Sequence, residues 1–423
     1  MIFTPATILL PHEKECALWS SIACDQFTSD AAYWEQVKTL TEGHPSAYHI
    51  TLPEIYLEEG EACVQERIRS INETMREYLR EGVFRQFKDA MVYVERRIPG
   101  GSVRRGIIGA VDLEDYEYAA GAETQIRATE ETVLSRIPPR VRIRQDAALE
   151  LPHLMLLADD VDRLLIEPIA ERKRELAKVY DFELMLDSGH VTGYLLDRKE
   201  IQRVQSVLEQ MGNLEEFQRK YHTSRTDPLV LAVGDGNHSL ASAKACYDMR
   251  KEEMGVEAAL RHPSRYALAE IVNLHDASLK FEPIYRVLFG VDHRQVMEAL
   301  RRAYPQSHIG RTAAGEIALE YWATDCEGTL SISASEGLLP VSLLQSFLDP
   351  FLQEYGGKID YIHGLEEAKQ LGRQEGNIAF TFAGMEKEQL FPGILQGGVL
   401  PRKTFSMGDA RDKRFYLECR RIQ

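Results

Sequence analysis

Six consecutive residues, Gly234-Asp235-Gly236-Asn237-His238-Ser239, combine two glycines, a carboxylate, an imidazole and a hydroxyl. An apolar, β-prone run (Leu229 to Val233) leads into them, and a small-residue segment (Ala241, Ser242, Ala243, Ala245, Cys246) follows. The pattern predicts a strand, a tight turn and a helix N-terminus. The first N–H groups of a helix have no intrahelical acceptor and carry the positive end of the macrodipole. Such a turn binds anions, phosphate above all. Gly234 and Gly236 would let a phosphate approach the backbone, with Asn237, His238 and Ser239 as side-chain partners. Asp235 could hold a metal or accept a proton. A plain β-to-α connection capped by Asn or Ser would leave much the same signature. The imidazole favours the ligand reading, because beside two glycines it has little packing value yet can donate to phosphate or act as acid or base. The pattern is neither the Rossmann nor the Walker loop.

Two further clusters carry similar chemistry. Arg127-Ala128-Thr129-Glu130-Glu131-Thr132, with Arg136, Arg140 and Arg142 behind it, sets a carboxylate among hydroxyls and guanidinium groups. Glu130 would serve there as general base or metal ligand, with Thr132, Arg136 and Arg140 clamping phosphate. A charged surface helix is the competing reading. Near the C-terminus, Pro401-Arg402-Lys403-Thr404-Phe405-Ser406-Met407-Gly408 is a basic, hydroxyl-bearing turn in which Lys403 and Thr404 could close over an anion, or simply lead into a strand. Asp25, and the Asn273-Leu274-His275-Asp276 stretch, are weaker signals. The latter reads better as a hydrogen-bonded pair than as a metal site, since no histidine spacing typical of zinc appears.

The elements that must hold these residues form an α/β pattern. At 423 residues the chain exceeds one core and divides softly into an N-terminal α/β region (1–150), a central α/β region with the glycine loop (151–290) and a C-terminal α+β region (291–423). Residues 48–52 read as a strand, 63–80 as a helix, and 91–96 with 106–111 as a hairpin. Residues 122–144 lack clean periodicity. A strand at 154–157, a helix over 168–180 and a hairpin at 182–186 and 191–196 follow; 266–273 is a strand or a buried helix. Helices near 296–303 and 343–352 flank a hairpin at 317–323 and 329–333.

A formal charge of −16 excludes general nucleic-acid binding, because no net positive field is available to displace counterions. The exceptions are local: five arginines against two glutamates over 127–144, and seven Lys/Arg against three acids in the last 23 residues. Such islands suit a small anionic ligand. The six scattered cysteines support neither a disulfide framework nor a metal finger. With no signal peptide and no apolar run near the ~20 residues that span a bilayer, a cytoplasmic setting without membrane contact is expected.

In order along the chain, Cys24-Asp25, Ser46-Ala47-Tyr48-His49-Ile50-Thr51-Leu52-Pro53-Glu54 and Val111-Asp112-Leu113-Glu114-Asp115-Tyr116 are followed by Thr129-Glu130-Glu131-Thr132, Asp235-Gly236-Asn237-His238-Ser239 and Pro401-Arg402-Lys403-Thr404. This series resembles domain-of-unknown-function family 1015 over essentially the whole chain. Its glycine loop is similar to the phosphate-binding turn of the ParB/sulfiredoxin-like superfamily, which includes nucleotide-dependent free-serine kinases and CTP-binding partition proteins. The resemblance implies a mixed-sheet α/β core around the loop. It further implies that the turn grips nucleotide phosphates while an acidic residue assists transfer. Three positions depart from the family pattern: Asn237 replaces the first His of a pair, Ser239 an Arg, and Thr129 the His before Glu130. Losing the Arg removes a bidentate clamp, so Arg136, Arg140 or Lys403 must substitute.

The leading expectation is therefore a nucleotide-dependent phosphotransferase acting on a small hydroxyl-bearing metabolite. The nucleotide is ADP, ATP or CTP with Mg²⁺, held in part by Asp25 or Asp235. Glu130, His238 and Asp235 are the expected catalytic groups. A non-catalytic nucleotide or phospho-metabolite sensor is the rival, and a metal-assisted hydrolase using Asp235, His238 and Asp25 the third reading. A homo-oligomer is compatible with all three.

Overall fold

The computed structural model describes every residue except 135, 136, 336 and 409. The chain forms two compact units, the first built from residues 1–279 and 409–423, the second from 280–408. Both are mixtures of helix and strand.

The described residues of the first unit form a ten-stranded mixed sheet. Its middle is the run Val92–Arg97, Val103–Asp112, Tyr266–Asn273, Met155–Ala158, Leu231–Asp235 and Ile126–Ala128. Tyr266–Asn273 pairs antiparallel with Val103–Asp112 and parallel with Met155–Ala158. Leu231–Asp235 pairs antiparallel with Met155–Ala158 and parallel with Ile126–Ala128. These strands are buried on both faces. Val92, Val94, Ile108, Ala110 and Leu268 face one core, while Tyr93, Ile107, Val111, Ala269 and Ile271 face the other. Double-sided burial explains why 266–273 reads as an unbroken apolar run that periodicity alone cannot separate from a helix.

The first core is closed by the helix Glu61–Arg80, through Val64, Ile68, Ile71 and Met75. The second core takes the helix Asn237–Met254, through Leu240, Ala243 and Tyr247. The C-terminal stretch returns to the first unit and is pinned there. Ala23 N donates to Arg414 O (3.1 Å), Tyr416 N to Ser21 O (2.8 Å), and Leu9 and Cys419 exchange backbone hydrogen bonds. Buried ion pairs reinforce it: Arg414 meets Glu270 (2.7 Å) and Glu418 (2.5 Å), and Arg420 meets Glu150 (2.7 Å).

Glu150 carries a pH signature. It accepts from Leu268 N (2.9 Å), Arg420 Nε (2.7 Å) and Arg144 (2.5 Å). Burial alone would raise its carboxyl, but Arg420 and Arg144 outweigh burial and hold it below the ordinary value. A folded value below the unfolded one adds stability that is complete above the unfolded pKa (~4.3) and is lost as pH falls through the native value. Urea melts from pH 7 down to ~3 should show an acid limb that flattens in Glu150→Gln.

The second unit holds an antiparallel sheet of His308–Ile309, Glu327–Ser333, Glu316–Ala323, Asn377–Thr381, Phe281–Phe289 and Lys358–His363, with Phe405–Met407 paired to residues 281–283. The helices Pro340–Tyr355, His293–Ala303 and Leu365–Gly372 belong to it.

Two stretches depart from the periodicity. Residues 48–52 are not a strand; Ala47–Ile50 is a 3-10 turn. Ser46 Oγ accepts from Tyr48 N (3.3 Å) and Thr51 Oγ1 donates to Ala47 O (2.9 Å), local bonds that replace a ladder. The helix expected over 168–180 stops early: Glu167–Arg172 is helical, and the strand Ala177–Glu183 pairs with His190–Leu195. Gly193 makes this register feasible, since a Cβ there would lie 2.1 Å from Cζ of Tyr180.

Candidate functional site

Leu231–Asp235 ends in Gly236, and the eighteen-residue helix Asn237–Met254 begins immediately after it. Gly236 is the cap residue, in the left-handed region (φ 84), and no side chain caps the helix. The capping explanation for Asn237 and Ser239 therefore fails: the start of a long helix is left open. A Cβ at Gly236 would lie 2.8 Å from Leu154 Cδ2 and 3.3 Å from Leu154 Cα, so glycine is required for both conformation and space. Gly236 N donates to Asp235 Oδ1 (3.0 Å), and the buried Asn237 Oδ1 has no hydrogen-bond partner.

The 129–133 segment runs beside this turn. Thr129 Oγ1 donates to Val233 O (2.7 Å), and Val133 N donates to His238 Nε2 (3.3 Å). Glu130 and Thr132 lie between these two anchors, which places them along the glycine loop. Nε2 of His238 is the acceptor in the bond from Val133 N. Thr132 is 7% exposed and its Oγ1 lacks a partner.

On the other flank, Lys413 Nζ lies 3.3 Å from Asp235 Oδ2. Ser239 Oγ lies 2.8 Å from His153 Nε2, whose Nδ1 is 3.0 Å from the Tyr416 hydroxyl. Cys24 N donates to that hydroxyl (3.2 Å), and the next residue is Asp25. Burial alone would raise the Asp25 carboxyl; His153, the Gln26 amide, Lys413 and Arg140 outweigh it and hold the carboxyl low. Burial, with Asp25 beside it, pushes the Cys24 thiol up to about 11, so this cysteine is no thiolate. Arg140 also forms an ion pair with Glu54, which ties the 46–54 block to the site. A cavity of about 140 Å³ opens between these groups, with Arg140, His153, Ser239 and Tyr416 on its polar side and Leu52, Met75, Leu149 and Leu268 on its apolar side.

The first unit thus gathers Asp25, Glu130, Thr132, Arg140, Asp235, Asn237, His238 and Ser239 around one turn. Arg136 lies outside the described residues. Lys403 and Thr404 belong to the second unit, where the buried Arg286 donates to the carbonyls of Lys403 (2.8 Å) and Arg402 (3.0 Å) and Thr404 Oγ1 donates to Pro401 O (2.6 Å). The basic C-terminal island does reach the loop, through Lys413. His153, Lys413 and Tyr416 escape sequence reasoning. His153 has the best visible signal, a histidine after a proline at the start of an apolar strand, while nothing local marks Tyr416.

Asp25 and Asp235 have the hard oxygen chemistry that suits Mg²⁺. The oxygens of Asp235 are engaged by Gly236 N and Lys413, and Asp25 Oδ1 accepts from Gln26 Nε2 (2.9 Å). Among the described residues, the grouping compact enough for a metal is His293, Asp325 and Cys326, which belong to the second unit. Also among the described residues, no helix is long and apolar enough to cross a membrane.

These features define an α/β protein whose first unit carries an open helix start at the end of a sheet strand. The chain belongs to the DUF1015 family, proteins of unknown function, whose model matches residues 4–349. No curated protein matches it. Among solved structures, a conserved hypothetical protein from Pyrococcus furiosus is similar at 14% identity, over 73% of this chain and 93% of that one, with a TM-score of 0.38. A free serine kinase in complex with AMP is similar at 12% identity, over 73% and 90%, with a TM-score of 0.39. SbnI with a C-terminal truncation, from Staphylococcus aureus, is similar at 8% identity, over 73% and 82%, with a TM-score of 0.37.

Proposed function

We propose that the protein is a nucleotide-dependent phosphotransferase that acts on a small hydroxyl-bearing metabolite. The observation that carries this reading is the uncapped start of an eighteen-residue helix behind Gly236, with Arg140 and Lys413 grouped around the same site. The first-turn N–H groups behind Gly234 and Gly236 take the phosphates, with Asn237, His238, Ser239 and Thr132 as side-chain partners. Lys413 and Arg140 supply the cationic charge that the Ser239 substitution withdraws. Asp25 would hold Mg²⁺, which would supply positive charge beside the phosphates. Glu130 takes the proton of the acceptor hydroxyl, whose oxygen attacks the terminal phosphorus as the bond to the bridging oxygen breaks.

Calorimetric titration with ADP, ATP and CTP, with and without Mg²⁺, tests the site. Micromolar binding that His238→Ala removes is the expected result; a folded protein that binds none of the three sinks the reading. Glu130→Gln is expected to abolish turnover and leave affinity within about threefold, since a general base contributes roughly 10²–10⁴-fold to rate and little to ground-state binding. Equal loss of both would remove Glu130 from that role.

One observation favours a non-catalytic nucleotide sensor. Thr129 is 1% exposed and spends its hydroxyl on Val233 O, so it cannot move a proton as the family's histidine would. Nucleotide consumption by the protein with an acceptor metabolite, and no added protein, decides against the sensor.

A further inference from the structure

We propose that Ser239 and His153 form an activated serine dyad that accepts acyl groups from short-chain carboxylic esters bound in the adjoining cavity. Ser239 Oγ lies 2.8 Å from His153 Nε2 and His153 Nδ1 lies 3.0 Å from the Tyr416 hydroxyl. Cys24 N–H donates to that hydroxyl oxygen (3.2 Å), which keeps a second lone pair able to accept from His153. With its proton on Nδ1 and donated to Tyr416, His153 turns the Nε2 lone pair to the serine hydroxyl. His153 is 8% exposed, so its orientation is set by these two bonds and the surrounding packing. A serine nucleophile, an imidazole base and an orienting group are the parts that acyl transfer requires.

Two surroundings point to the ester class. Ser239 lies in the first turn of its helix, two residues after Asn237, where the positive end of the dipole favours an oxyanion, while Ser239 N itself donates to Gly236 O (3.0 Å). The cavity that Ser239 and His153 line is about 140 Å³ and largely apolar, against roughly 150 Å³ for a cavity that admits benzene. It therefore has room for an acyl chain of a few carbons.

The step balances without a further reagent. Ser239 Oγ attacks the ester carbonyl carbon while His153 Nε2 takes the hydroxyl proton. Collapse of the tetrahedral adduct breaks the bond to the alkoxy oxygen, which leaves as the alcohol with the proton from Nε2. Water then attacks the acyl-serine carbonyl, giving one proton to Nε2, and the acid departs as that proton returns to Ser239 Oγ. The net reaction is ester plus water to acid plus alcohol. Nothing in it uses a nucleotide, but Ser239 and the first-turn N–H groups also serve the phosphotransferase reading, so the dyad is read with nucleotide absent.

The full-length protein, without nucleotide, is treated with an alkyl fluorophosphonate and analysed by intact mass and peptide mapping. p-Nitrophenyl butyrate hydrolysis is measured in parallel. One equivalent of adduct on Ser239, absent in Ser239→Ala and formed roughly 10²-fold more slowly or worse in His153→Gln, is the expected result. Thermal melts confirm that both variants fold, and Ser239→Ala, a single-oxygen deletion, keeps the comparison open if His153→Gln does not. Tyr416→Phe tests the positioning bond: the pH profile of labelling rate should shift, and an unchanged profile overturns the relay. No adduct on folded wild type, or an adduct elsewhere that survives Ser239→Ala, overturns the dyad.

Discussion

Replacing Gly236 with valine is expected to abolish nucleotide binding and to destabilise the first unit by about 2–4 kcal/mol, from backbone strain and overpacking together. Gly236 sits at φ 84, where a β-branched residue is a genuine outlier, and any Cβ would meet Leu154 Cδ2 at 2.8 Å and His153 Cδ2 at 3.2 Å. Relief of that clash must move the helix start or the 152–154 segment, and both carry the site. Calorimetry and urea unfolding read the two effects separately. Wild-type affinity in the valine variant would mean that the turn is not the phosphate site.

Arg414→Leu is the second large change. Arg414 is 5% exposed and donates to Pro152 O (2.9 Å), Glu270 Oε2 (2.7 Å) and Glu418 Oε2 (2.5 Å). Burial pulls the guanidinium down, yet Glu418 and Glu270 outweigh it and hold Arg414 above its ordinary value, so it is charged. Removing it leaves buried Glu418 to the Tyr180 hydroxyl and buried Glu270 to Arg104 at 4.0 Å, at a cost of about 3–5 kcal/mol. Gly106 belongs to this arrangement, since a Cβ there would come within 2.4 Å of Glu270 Oε1. The functional consequence follows from position. Arg414 anchors the returning C-terminal stretch between Lys413 and Tyr416, so the variant should lose nucleotide affinity along with stability. Arg414→Leu combined with Glu418→Gln and Glu270→Gln should recover part of the stability. A thermal melt of the single variant within ~2 °C of wild type, a shift worth about 1 kcal/mol for a unit of this size, would show that the charges are not the anchor.

Much of the site was legible because its signals are local. The strand–turn–helix at 231–254 follows from an apolar run broken by Gly-x-Gly ahead of small helix-forming residues, and each of those preferences acts over a few positions. The helix at 61–80 follows from its apolar spacing, and the hairpin at 92–112 from alternation across a Pro-Gly-Gly turn. The misread stretches are those in which distant contacts override local preference. Residues 177–180 contain nothing that forbids helix; they become strand because His190–Leu195 offers a ladder and Gly193 admits the Tyr180 ring. Residues 47–50 have strand-like composition, but serine and threonine hydroxyls satisfy the backbone locally.

By itself, the sequence determined the α/β class, the glycine turn, and the presence of a carboxylate, hydroxyls and arginines able to serve it. Family membership follows from the order of those blocks along the chain. Which of these groups share a site was decided only by the tertiary structure. Parallel pairing of Ile126–Ala128 with Leu231–Val233 carries Glu130 and Thr132 to the turn from more than a hundred residues away. Burial of Arg414 against Glu270 and Glu418 draws the C-terminal stretch back to the first unit, and with it Lys413 and Tyr416. Helix, turn and strand preferences are settled by neighbours in the chain. Convergence is settled by which distant surfaces must be buried together, and no short-range pattern records that.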